Sequence, residues 1–313
     1  MILRSLVDED LKKQVQKIFY NQSKLNTEIE SLKMLAGNIK IDGVRSKGIV
    51  SSFKEVEFKV FSQFGDDGII QYLINNIDIE TKTFIEFGVQ DYSESNTRFL
   101  LLNDNWKGLI FDGSQNDMEN LRNDEIYWRY DLTAVGAFLT KSNINELFKE
   151  YNFVGEIGIL SVDIDGNDYW IWESINSVNP VIVIAEYNSV FGNSHAITIP
   201  YDESFNRTKA HFSNLFWGCS LKALIYLAKK KGYVFAGCNS AGNNAYFIRE
   251  DKIGNLVPSS LERGYVRSKF RESRDRQGNL TFHGDDQRIR IIEECEVYDL
   301  ERETLTKIKD LGI

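Results

Sequence analysis

Several common functional signatures are missing from this sequence. Its three cysteines, Cys219, Cys238 and Cys295, are odd in number, far apart and free of CxxC spacing. Neither a disulfide framework nor a zinc site is encoded, and the three read as reduced thiols. No apolar run approaches the roughly 18 residues of a membrane span. The opening MILRSLVDEDLKK reaches charge too soon for the core of a signal peptide, so the chain is expected in the cytoplasm. Positive charge is also scarce, with 37 Lys and Arg against 46 Asp and Glu and a formal charge of −9. That balance argues against nucleic acid as a partner, because phosphate contacts need clustered Lys and Arg. No G-x-G-x-x-G follows the first strand-like run, which disfavours a nicotinamide dinucleotide domain. Internal repeats and low-complexity segments are absent.

Against these absences stand 42% hydrophobic and 12% aromatic residues, enough for one full α/β core with appendages. The N-terminal segment has its own pattern. Leu11, Val15, Ile18, Gln22, Leu25, Ile29, Leu32, Ala36 and Ile39 follow alternating steps of four and three, an a/d seam of about four heptads broken only by Gln22. A helix that long cannot satisfy its stripe alone. It pairs with another copy, giving a homo-oligomer, or it folds back over one edge of the domain. Residues 1–42 are assigned to this coiled-coil-like helix, with Gly43 to Gly48 reading as a linker. Residues 43–255 form the main domain, and 256–313 a charged extension packing on it.

From Phe58 onward, short apolar runs alternate with helical patterns, the βαβ signature of a mainly parallel sheet. Strands are predicted at 84–89, 109–112, 126–131, 157–163 and 181–186, with 233–236 and 245–248 as a terminal antiparallel pair. Two stretches carry the most information: TFIEFGVQD from Thr83 and WKGLIFDGS from Trp106. Each is an apolar run ending in an acid and a glycine, as when a parallel strand delivers a carboxylate and a tight turn to the carboxyl edge of a sheet. The Glu86–Asp112 spacing suits two adjacent strands, a nucleoside pocket and an adenosyl cofactor.

Such a cofactor needs partners for an ammonium, a carboxylate, a ribose diol and an adenine. Glu86 is the candidate for the ammonium, and Gly88 permits close backbone approach. Ser95, Asn96 and the free N–H groups of the following helix suit the carboxylate. Asp112 suits the ribose hydroxyls, with Gly113 and Ser114 beside the adenine, while Asp131 and Leu132 are candidates for the adenine amino group and its wall. At the reacting end, Asp163 and Asp165 sit two apart near a strand end, and Glu186 and Asn188 repeat that spacing on the next strand. Asp165, Glu186 and Asn188 are candidate ligands of Mg²⁺ or Mn²⁺. Asp163, Asp165 and His195 are candidate bases. The competing reading of Asp165-Gly166-Asn167 is turn chemistry, with Asp168 capping a helix. Arginines between Arg263 and Arg290 form a solvated face or meet a phosphate-bearing substrate.

SQFGDDGII at 62–70, EFGVQDYSESNT at 86–97, IFDGS at 110–114, SVDIDGNDYWIW at 161–172 and IAEYN at 184–188 together resemble the class I S-adenosylmethionine-dependent methyltransferases. Within these, the FkbM-like and related sugar O-methyltransferases are most similar. The resemblance covers about residues 60–250. It departs in Glu86, where the family usually has Asp, and in Gly88 standing alone in a usually glycine-richer turn. Asp165-Gly166-Asn167-Asp168 is closer to the metal-using macrolide sugar O-methyltransferases. The resemblance implies a Rossmann-like class I sheet flanked by helices, mostly parallel with its last strand antiparallel. It also implies S-adenosylmethionine as methyl donor, Gln63 as a cofactor residue, and a sugar hydroxyl of a nucleotide-sugar or a capsule or lipopolysaccharide precursor as acceptor. Two alternatives stay open: another small molecule, such as a polyketide or amine, and a non-catalytic coiled-coil scaffold with a degenerate fold.

Overall fold

The structure is a computed structural model in which residues 2–312 are described. It opens with a single long helix, α1 (Ile2–Arg45), followed by α2 (Asp66–Asn76), β1 (Thr83–Phe87), α3 (Arg98–Asp104) and β2 (Lys107–Asp112). Next come α4 (Gln115–Arg122), α5 (Glu125–Arg129), β3 (Leu132–Gly136), α6 (Ile144–Glu150), β4 (Gly155–Val162), α7 (Asp168–Ser174) and β5 (Val178–Glu186). The chain continues through β6 (Ile197–Thr198), α8 (Arg207–Ala210), α9 (Leu221–Lys230), β7 (Tyr233–Cys238) and β8 (Asn244–Arg249). It ends with α10 (Leu261–Gly264), α11 (Asp285–Ile291), β9 (Glu296–Asp299) and β10 (Thr304–Lys307).

Seven strands form the main sheet in the order β3-β2-β1-β4-β5-β8-β7. The first five run parallel, and β8 is antiparallel to both β5 and β7. This is the Rossmann-like, mostly parallel sheet expected of a class I methyltransferase, with its last strand reversed. Its strands read as near-continuous apolar runs because both faces are covered. Successive β1 side chains serve opposite faces: Phe84 joins Ile110, Ile159, Ile182 and Tyr246, whereas Ile85 and Phe87 join Phe111, Phe148, Leu160 and Trp172. Phe84 is fully buried, and truncating such a ring to Ala costs about 3–5 kcal/mol.

One predicted strand is corrected. Residues 126–131 were expected to be extended, but Asp124 caps α5 by accepting from the Ile126 N–H at 2.9 Å, and β3 begins only at Leu132, paired with Gly108. The aromatic run IYWRY has strand-like composition, but a local cap satisfies an amide that no neighbouring strand is placed to meet. The shift moves Asp131 to the amino end of β3.

The C-terminal segment returns to the domain. β9 pairs with both β6 and β10 in a three-stranded sheet, over a separate core that includes Phe191, Ile197, Leu215, Ile292, Val297 and Ile308. At the other end, α1 continues through Gly43 to Arg45, so the expected linker is shortened. Ile41 packs with Val60, Phe61 and Phe99. Gly37 is required there by close approach, since a Cβ would stand 2.8 Å from the Phe99 ring. Among the described residues, no helix is long and apolar enough to cross a membrane. The three cysteines are free, Cys219 and Cys238 buried and Cys295 partly so.

Candidate active site at the carboxyl edge of the sheet

The strand order reverses between β1 and β4, so the chain leaves their carboxyl ends in opposite directions and opens a crevice. A cleft of about 800 Å³ occupies it. Gly88 sits at its floor with φ 70°, its N–H donating to the Phe111 carbonyl at 2.9 Å. A Cβ there would lie 1.9 Å from the Asp163 carbonyl oxygen, so only glycine lets the two strand ends come this close.

The acids behave differently from one another. Glu86 is buried and accepts the backbone N–H groups of Asn96 at 2.8 Å and Thr97 at 3.0 Å, together with the hydroxyls of Ser95 and Thr97. Burial pushes its pKa up while these donors pull it back. Asn96 donates its side-chain amide to Ser161 Oγ at 3.1 Å. Glu86, Ser95 and Asn96 therefore form an internal clamp on the loop before α3 and do not line the cleft, which corrects the roles expected for them. Strand alternation is the reason: Glu86 shares the face of Phe84, under α3, one residue short of the edge.

Asp112, at the end of β2, does face the cleft. One carboxylate oxygen accepts the Gln90 N–H and the other the Ser114 N–H, each at 2.7 Å, and both retain acceptor capacity. Gly113 and Gln63 also line the space. Ser114 does not; its hydroxyl caps α4 by accepting the Asp117 N–H at 3.3 Å. Asp131 is exposed at the opposite edge, 3.9 Å from Lys107 Nζ, and Leu132 is buried in the core. On this side the cleft is lined instead by Ala137, Phe138 and Leu139, which follow the true β3.

Beyond Gly88 lie the ends of β4 and β5. Asp163 and Glu186 are close enough to raise each other's proton affinity, and both are held well above the ordinary carboxylate range. Burial is the largest cause for each, and neighbouring negative charge adds to it, from Asp165 and Asp168 at Asp163 and from Asp163 and Asp165 at Glu186. Two carboxyls this close share a proton rather than both ionise. Glu186 Oε2 has no hydrogen-bond partner among the described residues, and both residues line the cleft.

Asp165, in the left-handed region with φ 55°, is ion-paired with Arg207 at 2.6 Å. Arg207 also reaches Glu272 at 3.5 Å and lies over the Trp217 ring at 4.6 Å. Asp168 accepts the Ile164 and Gly166 N–H groups at 2.8 and 2.9 Å, closing the turn after β4, and burial pushes it up to about 6. It is the first residue of α7 rather than its cap.

The proposed metal ligands do not fit a divalent cation. Asp165 is held by Arg207, and the buried Asn188 has its side chain occupied: its amide donates to the Leu215 and Trp217 carbonyls at 2.9 Å each and its oxygen accepts the Val190 N–H at 3.0 Å. Among the described residues no group of three or more His, Cys, Asp or Glu is arranged to hold a metal ion. His195 is likewise displaced. After β5 a short helical turn at Ser189–Phe191 carries the chain towards β6, and His195 lies outside the cleft, its carbonyl accepting Ser220 Oγ at 2.7 Å.

Sequence reasoning missed Gln90, Phe64, Arg207, Trp217, Phe270 and Glu272, all in the cleft lining. Phe64 and Phe270 stack at 5.8 Å with ring planes nearly parallel, 4° apart. The C-terminal segment thus contributes an aromatic and an acid where an arginine was considered; Arg288 is buried, donating to Phe270 O at 3.1 Å. Only the β3 residues had a findable signal, because ending the strand at Gly136 places Ala-Phe-Leu at the edge.

No protein-family model matches the sequence, and no curated protein matches it. Among solved structures, the chain is similar to the N-terminal domain of EvdMO1 with SAH bound, at TM-score 0.37 and 8% identity, over 60% of this chain and 81% of that one. The same domain in the presence of SAH and D-fucose matches at 0.33 and 8%, over 53% and 73%. The pyocyanin biosynthetic protein PhzM matches at 0.33 and 13%, over 55% of this chain and 51% of its own. Likenesses this slight identify neither substrate nor site residues.

Proposed function

We propose that the protein is a cytoplasmic S-adenosylmethionine-dependent O-methyltransferase acting on a sugar hydroxyl, in a nucleotide-sugar or surface-polysaccharide precursor. The observation that carries the reading is the division of one cleft into two acidic stations, Asp112 beside an apolar wall and the Asp163–Glu186 pair across Gly88. The residues at the first station fit the nucleoside part of the cofactor: Asp112 accepts ribose hydroxyls, and Ala137, Phe138 and Leu139 offer adenine an apolar face. The cofactor, when bound, supplies a methyl group already activated on a sulfonium. What the protein must add is alignment of the acceptor oxygen and removal of its proton. The Asp163–Glu186 pair is the base in this reading. Its raised proton affinity suits it to take a proton that an ordinary solvated carboxylate would not hold, and Asp163, the less buried member, is the one that meets the cleft. Arg207, Asp165 and Glu272 provide donors and acceptors for neighbouring hydroxyls, and the Phe64–Phe270 stack suits the apolar face of a sugar ring.

The acid-rich lining also favours a second reading, in which the acceptor is an amine drawn in as its cation. Calorimetric titration of the full chain with S-adenosylmethionine tests the class, with saturable binding expected; absence of both heat and thermal shift would overturn it. Turnover on nucleotide-sugars and on primary amines then separates the two acceptors.

A further inference from the structure

Helix α1 carries two apolar stripes, which stand on opposite sides at its C-terminal end. Met34, Gly37, Ile41 and Val44 face the domain, where Glu30 adds an ion pair to Arg98 at 2.9 Å. The heptad seam from Leu11 to Ile39 is the other stripe. Met34 and Leu32, like Ile41 and Ile39, are two positions apart, about 200° around a helix. Docking therefore leaves the seam facing away: Leu25, Leu32 and Ile39 are 59%, 64% and 65% exposed. The helix covers the domain with the face that has fewer large apolar residues, and its more apolar face is uncovered.

We infer that this seam is one half of a parallel two-stranded coiled coil, completed by a second copy of the chain. Steps of four and three place Val15, Gln22, Ile29 and Ala36 at a positions and Leu11, Ile18, Leu25, Leu32 and Ile39 at d positions; β-branched residues at two of four a positions and Leu at three of five d positions lean towards two parallel strands. Gln22 is the polar residue at an a position, where only a parallel, in-register partner sets the same amide beside it. Charge agrees with that direction. A parallel pair brings Glu28 at g opposite Lys33 at e of the second copy, whereas an antiparallel pair brings Lys12 towards Lys40. The seam runs about 42 Å at 1.5 Å per residue. The domain comes up beside Gln22 and Lys33 and leaves Leu25, Leu32 and Ile39 uncovered.

Light scattering on the full chain at tens of micromolar tests this, with twice the 36.1 kDa chain mass expected. Leu25→Glu/Ile29→Glu/Leu32→Glu gives a monomer whose domain melts as the parent does, because these side chains are exposed. Glu28→Lys raises the dissociation constant about tenfold or more, and adding Lys33→Glu restores it. A monomeric parent, a dimer that survives the triple variant, or an assembly larger than a dimer overturns the inference. So does a charge swap without rescue, which signals an antiparallel pair, or a monomer whose seam binds lipid vesicles instead.

Discussion

At the carboxyl end of β1, Glu86 is surrounded by four donors from Ser95, Asn96 and Thr97. At the ends of β4 and β5, Asp163 and Glu186 have chiefly each other, surrounded by further acids. All three are acids at or near the ends of buried parallel strands. What separates them is the supply of donors. A carboxylate with its lone pairs filled by backbone amides and hydroxyls is a structural clamp, and one left in a negative neighbourhood has a raised affinity for a proton from whatever enters the cleft.

The largest expected effect comes from the unfilled pair. Asp163→Asn should lower turnover by about 10²- to 10⁴-fold while cofactor affinity stays within a few-fold, read from steady-state kinetics and calorimetry together. Turnover near the parent's would assign proton removal elsewhere. Glu86→Ala should act on the other side of the comparison, removing about 3 kcal/mol or more of stability by leaving buried amides without an acceptor. Urea melts check this, and a loss under about 0.5 kcal/mol, the ordinary range for surface substitutions, would mean that Glu86 is no clamp.

A smaller effect follows from proton linkage. Asp163 and Glu186 are raised above their ordinary 3.8 and 4.5, so above that range the folded state binds more protons than the unfolded chain. Their contribution is fully present below the unfolded values and is lost as pH rises through the folded ones. The thermal midpoint should therefore fall between pH 5 and pH 8 more steeply in the parent than in Glu186→Gln, by about 2–4 °C; parallel profiles would show that the pair holds no extra proton. The smallest effect separates the two edges of the sheet. Asp112→Asn should weaken S-adenosylmethionine about tenfold, roughly the worth of one charged hydrogen bond, whereas Asp131→Ala should change neither binding nor stability by more than about 0.5 kcal/mol.

The legible parts of this protein are those set by periodicity. Alternating apolar runs and helical patterns predicted the sheet, its reversed last strand and the long N-terminal helix, because burial imposes those periods directly on the sequence. Gly88 was legible for a similar reason, since a tight strand-end turn leaves few choices of residue. The site was less so. Asp131 was misplaced by one mistaken strand, His195 by a helical turn that redirects the chain, and Glu86 by a choice of sheet face. Arg207, Trp217 and Glu272 reach the cleft from segments 21 to 86 residues beyond Glu186, and no local pattern announces such meetings.

The sequence by itself determined which elements form and which stripe of α1 is most apolar, since both follow from nearest-neighbour geometry along the chain. Only the tertiary structure decided which acids are filled and which are open, and which stripe the domain covers. Those outcomes depend on donors and surfaces brought from distant segments, and a carboxylate or a leucine carries no mark of what will come to lie beside it.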